Sequence, residues 1–256
     1  MSSSPESALS VRNLEVTYSD ASGVVHALHD LSFSLAPNEF VSLIGPSGSG
    51  KSTLLRVLAG LVPPNNGTFQ YSRSQPRVGL VFQKANLMPW RRVIDNIGLP
   101  LELQDIPKQV IQERAHELIK LVGLEGFERA YPRDLSGGMA QRVAIARSLM
   151  QDPDVLLLDE PFGSLDDLTR ERMGDELLHI WQARRKTVLM VTHSITEAIY
   201  LSDRVLVLSP RPGMIRLSLP INLPRPRQPE MRYLPEFSVL SQTLRESLRD
   251  DDLDIA

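Results

Sequence analysis

The chain has 256 residues, 42% hydrophobic and 23% charged, which is enough to bury the core of one large domain or of a domain with a subdomain. A net charge of −3 gives no electrostatic footprint for general nucleic-acid binding. Cysteine is absent, which excludes disulfides, thiolate metal sites and cysteine nucleophiles. No run approaches the ~18 apolar residues of a membrane helix, and the first residues do not resemble a signal peptide. Any membrane role would therefore be that of a peripheral subunit.

The first predicted elements are short strands. We expect residues 1–10 to be a flexible terminus. Residues 11–18 alternate as a half-buried strand should, and residues 25–28 and 31–35 predict two further strands with a turn between them. Tyr18 ends the first strand, where its ring could equally be half-buried or stack on a flat ligand.

A glycine-rich stretch lies between an apolar run at 40–44 and a helix-like run at 53–59. It has the G-x-x-x-x-G-K-S spacing of a phosphate-binding P-loop, in the strand–loop–helix context that this motif requires. Residues without a Cβ let backbone N–H groups turn inward around phosphate oxygens. Lys51 adds a positive charge near the β- and γ-phosphates, Ser52 offers a hydroxyl to Mg²⁺, and the helix start favours the anion. The predicted nucleotide contacts are Gly45, Pro46, Ser47, Gly48, Ser49, Gly50, Lys51, Ser52 and Thr53.

The middle of the chain changes to helical periodicity. Apolar residues recur every 3.6 positions at 93–103 and 110–124, which predicts a helical insertion at about 86–152. An aromatic and basic turn precedes these helices, with Leu87 and Arg92 at its ends. Two interpretations are open: Trp90 in this turn caps the core, or the turn is a docking surface for a partner.

Three predicted strands end in polar side chains at the edge where open α/β sheets bind their ligands. Taken alone, a strand-ending Gln or His is more often a solvated or structural residue. The side chains concerned are Gln83, the pair Asp159 and Glu160, and His193.

The adjacent acids Asp159 and Glu160 leave a continuous apolar run and therefore need partners. Asp159 can hold Mg²⁺ directly or through water. Glu160, which strand alternation would place on the opposite side, can deprotonate an attacking water. Because the other strands of this predicted sheet end in Gln83 and in Asp159 and Glu160, His193 is interpreted as a sensor of the γ-phosphate.

Ser136, Gly137 and Gly138 stand immediately before an alanine-rich helix. The hydroxyl and the free N–H groups form a second anion-binding helix start, although an isolated Ser-Gly-Gly is more often an ordinary N-cap. The presence of a P-loop in the same chain favours the anion-binding interpretation.

The last segment, residues 220–256, is predicted to be a proline-rich tail with a short helix. Its prolines favour an extended crossing of the surface. Residues 237–248 then place one apolar face on a helix, formed by Val239, Leu240, Leu244 and Leu248.

Taken in order, these motifs resemble the nucleotide-binding subunit of an ATP-binding cassette (ABC) transporter over roughly residues 9–220. They are the P-loop, Gln83, Leu-Ser-Gly-Gly at 135–138, Leu-Leu-Asp-Glu at 157–160, Ser-Leu-Asp at 164–166, and His193. Met139 departs from the family, where Gln is usual, but the phosphate-facing residues before it are intact. The resemblance implies an α/β fold: a P-loop NTPase (RecA-like) core with an antiparallel β subdomain and an inserted α-helical subdomain, the ATPase domain spanning residues 11–219.

The same resemblance implies a homodimer that sandwiches ATP and Mg²⁺ between the P-loop of one copy and the signature, Leu-Ser-Gly-Gly at 135–138, of the other. The implied catalytic residues are Glu160, His193, Lys51 and Gln83. Tyr18 would stack on adenine, and the metal ligands would be Ser52, Gln83 and Asp159. Across the dimer, the contacts would come from Ser136, Gly137, Gly138 and Asp166.

The resemblance also implies partners: two integral-membrane permeases docked around residues 87–92, a periplasmic or lipoprotein solute-binding protein, and no nucleic acid. It places the chain at the cytoplasmic face of the inner (plasma) membrane. Residues 81–97, Met139 and residues 208–213 are similar to bacterial importers of the nitrate, sulfonate and taurine group. Importers of pyrimidine precursors share these features, and a soluble ABC ATPase of DNA repair or translation is a further alternative.

Overall fold

The structure is a computed structural model that describes residues 7–20, 23–163 and 165–249. The chain forms two units, Met1–Pro76 with Lys186–Ala256, and Arg77–Arg185. The strands are β1 Leu9–Asp20, β2 Gly23–Leu35, β3 Phe40–Ile44, β4 Asn66–Tyr71, β5 Val78–Val81, β6 Val155–Asp159, β7 Thr187–Val191, β8 Arg204–Leu208 and β9 Ile215–Pro220. The α-helices are α1 Lys51–Leu58, α2 Val93–Glu102, α3 Lys108–Leu121, α4 Gly137–Leu149, α5 Asp167–Arg184, α6 Ile195–Leu201 and α7 Pro235–Arg249, with 3₁₀ turns at Pro132–Asp134 and Pro229–Tyr233.

The first unit contains two sheets. One is antiparallel with strand order β2-β1-β4. In the other, β3 lies parallel to both β7 and β8, and β9 closes the edge antiparallel to β8. Every residue of β3 and β7 is buried, as expected of parallel strands covered on both faces. This buried strand β3 carries the P-loop at its carboxyl end.

Strand β2 is continuous, so the prediction of two short strands with a turn between them was wrong. Asp30 adopts φ 45 and the pairing with β1 shifts register around it. A local irregularity of this kind absorbs an extra residue without ending the ladder. Strand β1 begins at Leu9, inside the segment that we expected to be flexible, because Leu9 is fully buried and pairs with Leu35 and Tyr71.

The second unit contains the parallel pair β5 and β6 and the helices α2 to α5. Helices α2 and α3 lie where the 3.6-residue period predicted them. Helix α3 ends three residues earlier than predicted, shortly before Gly123, whose φ of 61 breaks the helical backbone.

The described part of the tail contains the 15-residue helix α7. It buries Phe237 and Leu244, whereas Val239, which we placed on the apolar face, is 64% exposed. Arg225 fixes the segment before this helix by donating to Asp203 at 2.7 Å. Across the described part of the chain, no helix is both long and apolar enough to span a membrane.

Candidate nucleotide site

The P-loop depends on glycine at two positions with a left-handed backbone. Gly48 has φ 78 and Gly50 has φ 91. A Cβ on Gly50 would lie 2.6 Å from the carbonyl oxygen of Ala27, which backbone atoms cannot accommodate. The sequence therefore folds here into a tight loop that leads directly into α1, where Gly50 is the N-cap.

Lys51 opens α1 and its side chain folds back over this loop. Its ammonium donates to the carbonyl oxygens of Gly45 at 2.8 Å and Pro46 at 2.7 Å, and only 7% of the residue is exposed. A positive charge is thus fixed beside the first turn of a helix whose start carries no acidic residue. This arrangement is electrostatically suited to an anion.

Tyr18 lies next to the same helix. Its hydroxyl donates to the Thr53 hydroxyl at 3.5 Å, and 41% of the tyrosine is exposed. Part of the aromatic ring therefore remains accessible for contact with a flat ligand, and adenine stacking stays a prediction.

His193 lies in the turn between β7 and α6, where it is exposed. The turn around it is well defined, because Ser194 caps α6 by accepting from the N–H of Glu197 at 3.3 Å, and Thr192 donates to the Glu197 carboxylate at 2.6 Å. The histidine is thus held at the carboxyl end of a buried strand, as the sequence predicted.

In the second unit, the structure brings Gln83 and Glu160 together, with the Gln83 amide donating to the Glu160 carboxylate at 3.3 Å. Strand β6 ends at Asp159, and Glu160 adopts φ 45 in a turn closed by Gly163. Glu160 therefore lies beyond the strand, and strand alternation does not set the direction of its side chain. The left-handed backbone of this residue sets it, a conformation that costs a non-glycine residue about 1–2 kcal/mol of free energy.

Gly163 fits closely against this pair. A Cβ on Gly163 would lie 3.2 Å from the Gln83 amide nitrogen and 3.3 Å from the Glu160 carboxylate. The absence of a side chain here keeps the space beside both polar groups open.

The Leu-Ser-Gly-Gly segment is a helix start that is exposed at Ser136 and Gly137 and buried at Gly138. The Ser136 hydroxyl caps α4 by accepting from the N–H of Met139 at 3.3 Å, while Ser136 and Gly137 are both exposed. Asp166 caps α5 in the same way through Thr169, and this hydrogen bond from a backbone N–H lowers the pKa of the Asp166 carboxyl. Ser164, predicted with Leu165 and Asp166 as one motif, lies outside the described residues.

Two residues of α4 that sequence reasoning missed hold the segment around Gln83. The buried Gln141 donates to the carbonyl oxygen of Phe82 at 3.1 Å. Arg147 donates to the carbonyl oxygens of Ala85 and Asn86 at 2.8 and 2.9 Å, and its burial lowers its pKa. Their only signal in the sequence is that they are polar residues in a helix of mostly small and apolar ones.

The predicted site residues divide between the two units. The P-loop, Tyr18 and His193 belong to the first unit, whereas Gln83, Asp159, Glu160 and the signature residues belong to the second. The first unit supplies a fixed cation at a phosphate-type loop, and the second supplies a carboxylate paired with an amide.

A loop of glycines closed around an ammonium, at the end of a buried parallel strand, defines a P-loop nucleotide hydrolase. The chain belongs to the ABC transporter family, which matches residues 28–163. The sequence-based assignment to the ATP-binding subunits of this family is therefore confirmed, together with the activity of an ABC ATPase that binds and hydrolyses ATP.

Individual relatives agree with this assignment. The aliphatic sulfonates import ATP-binding protein SsuB of Bacillus subtilis is 46% identical over 235 residues, 90% of each chain. The taurine import ATP-binding protein TauB of Rhizobium johnstonii is 50% identical over 196 residues, 75% of each chain. A dimeric structure of the ATP-binding cassette MJ0796 in a post-hydrolysis state, bound to ADP and phosphate, is 31% identical with a TM-score of 0.72, covering 84% of this chain and 99% of that one. The predicted ABC ATPase fold, with its antiparallel β and helical subdomains, is confirmed.

Proposed function

We propose that this chain is the ATP-hydrolysing subunit of a bacterial importer for a small anionic solute of the sulfonate, taurine or nitrate type. The observation that carries the proposal is the 46% identity to a sulfonate-import subunit along 90% of both chains. The likeness to a taurine-import subunit supports the same solute class. An importer of pyrimidine precursors is the alternative that an experiment must separate.

In the proposed ATP site, Lys51 neutralises the γ-phosphate, which His193 also holds, and Tyr18 stacks on adenine. Glu160 orients the attacking water and takes its proton, while Gln83 contacts the same water. The 3.3 Å hydrogen bond between Gln83 and Glu160 supports their shared role. The exposure of His193 at a strand end is consistent with contact to a ligand.

Mg²⁺ fits the residues assigned to it. Ser52, Gln83 and Asp159 offer a hydroxyl, an amide and a carboxylate oxygen, which are the hard oxygen donors that this ion prefers. When bound, Mg²⁺ would neutralise charge that develops on the transferred phosphoryl group.

The complete site would form between two copies of the chain. Ser136, Gly137 and Gly138 of one copy would bind the γ-phosphate held by the P-loop of the other, with Asp166 across the same interface. The exposure of Ser136 and Gly137 at a helix start, and the dimeric state of the related cassette, support this arrangement. A monomer should bind ATP but hydrolyse it poorly.

The turn at residues 87–92 is the proposed docking surface for the two membrane permeases, which would keep the chain at the cytoplasmic face of the inner membrane. Trp90 is 73% exposed there, so it does not cap the core. Beside it opens a cavity of about 430 Å³. Its lining mixes apolar and charged side chains, among them Ile94, Ile106, Ile111, Glu102 and Lys108. A mixed groove next to an exposed tryptophan suits an amphipathic segment.

This docking surface can be tested by replacing its tryptophan. Trp90→Ala should leave the basal ATPase rate unchanged and abolish most of the stimulation by permeases in reconstituted membranes. Tyr233→Ala, which removes another exposed aromatic ring, is the matched control. Equal stimulation of all three proteins would show that permeases dock elsewhere.

The solute class can be tested from the assembled complex. The tagged full chain should co-purify from its own membranes with a permease and a solute-binding protein, identified by mass spectrometry. The melting temperature of that binding protein should then rise with a sulfonate, taurine or nitrate. A rise only with a pyrimidine precursor would establish the alternative, and a chain that captures no permease would contradict the importer.

A further inference from the structure

The turn between β8 and β9, residues 209–214, is a braced loop that lies against the P-loop. The Ser209 hydroxyl accepts from the N–H of Met214 at 2.9 Å and lies 2.8 Å from the carbonyl oxygens of Pro210 and Pro212. These contacts fix the loop from within. None of its residues belongs to the P-loop motif or to any other site described above.

Gly213 brings this turn into direct contact with the P-loop. Its N–H donates to the carbonyl oxygen of Ala27 at 3.0 Å, and its carbonyl oxygen accepts from the N–H of His29 at 3.1 Å. A Cβ on Gly213 would lie only 2.1 Å from the carbonyl oxygen of Ser49. The two backbones are therefore in contact, and only glycine permits it.

Two residues earlier, the same turn places a cation on the P-loop. The Arg211 Nε donates to the carbonyl oxygen of Gly48 at 3.3 Å. Its Nη2 lies 3.0 Å from the point that a Cβ on Gly48 would occupy. Gly48 itself has φ 78, so the guanidinium contacts the loop at one of its two left-handed glycines.

We propose that Arg211 is a further positioning residue of the nucleotide site and supplies its second fixed cation after Lys51. It would hold the left-handed conformation of Gly48 through the carbonyl hydrogen bond, and it would add positive potential where the triphosphate binds. The proposal rests on the proposed role of the P-loop in holding the phosphates. Arg211 acts through Gly48, so it is a positioning residue rather than a catalytic one.

The positive charge of Arg211 leads to specific predictions for ATP binding. Arg211→Gln should weaken ATP binding about three- to tenfold, the size expected for an exposed charge in a high-dielectric environment. The loss should be larger for ATP than for ADP or AMP, and it should shrink as salt is raised. Arg211→Lys, which keeps the charge, should retain most of the affinity. Because the effect is on binding, KM for ATP should rise while kcat stays close to that of the unchanged chain.

The affinities can be measured on the full chain by isothermal titration calorimetry with Mg²⁺ chelated, so that no ATP is hydrolysed. KM and kcat are measured separately, from steady-state phosphate release with Mg²⁺ present. Arg216→Gln, in the exposed strand of the same hairpin, is the matched control and should bind ATP normally. Arg211 is exposed, and its variants should therefore melt at the same temperature as the unchanged chain.

Two results would overturn the role of Arg211: an unchanged ATP affinity in Arg211→Gln, or a loss that is equal for ATP and AMP and insensitive to salt. Lys51→Ala separates this outcome from failure of the P-loop assignment. If Lys51→Ala still binds ATP normally, the proposed site itself is wrong. If it loses binding while Arg211→Gln does not, only the inference about Arg211 fails.

Discussion

The turn that carries Trp90 is held by one buried side chain, and this allows a quantitative test. Asn96 is fully buried in α2. Its amide oxygen accepts from the N–H of Met88 at 2.8 Å, and its amide nitrogen donates to the carbonyl oxygens of Met88, Arg91 and Arg92 at 3.2, 3.0 and 3.1 Å. Asn96→Ala would remove all of these side-chain hydrogen bonds, although the carbonyl oxygens of Met88 and Arg92 would still accept from the backbone N–H groups of Arg91 and residue 96. With about 0.5–1.5 kcal/mol for each of the four hydrogen bonds, the free energy of unfolding should fall by about 2–6 kcal/mol.

Equilibrium unfolding in urea, followed by far-UV circular dichroism, measures this loss. Gln109→Ala removes an exposed side-chain amide from α3 and should change the free energy of unfolding by less than about 0.5 kcal/mol. Asn96→Asp should also destabilise, because a carboxylate oxygen would then face the three carbonyl oxygens. A loss below about 1 kcal/mol in Asn96→Ala would refute the claim that these hydrogen bonds hold the turn.

Three further predictions concern the ATP site. Gly50→Ala should abolish ATP binding in a calorimetric titration, because the alanine Cβ would lie 2.6 Å from the Ala27 carbonyl oxygen. The control is Gly60→Ala, at a glycine with φ 73 and open space around it, and this variant should bind ATP normally. Glu160→Gln should still bind ATP and accumulate a closed dimer, while its rate of phosphate release falls about 10²- to 10⁴-fold. A normal steady-state rate would show that Glu160 is not the base. Gln141→Leu should lower kcat about tenfold at unchanged ATP affinity, because the segment before Gln83 would lose its hydrogen bond to α4. An unchanged kcat would show that this hydrogen bond does not position the site.

The sequence by itself determined the local patterns and their order. The glycine and lysine spacing at 45–53, the mostly apolar buried strands and the Leu-Ser-Gly-Gly helix start are all readable within short windows. These features follow from backbone sterics, helix capping and the burial of parallel strands, each of which acts between near neighbours along the chain. Their order along the chain was sufficient to identify an ABC ATPase.

The tertiary structure decided which groups meet across long stretches of sequence. Arg211 and Gly48 are 163 positions apart, and Gln83 and Glu160 are 77 apart, so no periodicity relates them. The left-handed backbone of Glu160 is another such feature, because a non-glycine residue adopts it only where surrounding contacts compensate for its cost. Sequence patterns record what each segment prefers. The tertiary structure brings Arg211 within hydrogen-bonding distance of the Gly48 carbonyl oxygen and so places a second cation on the P-loop.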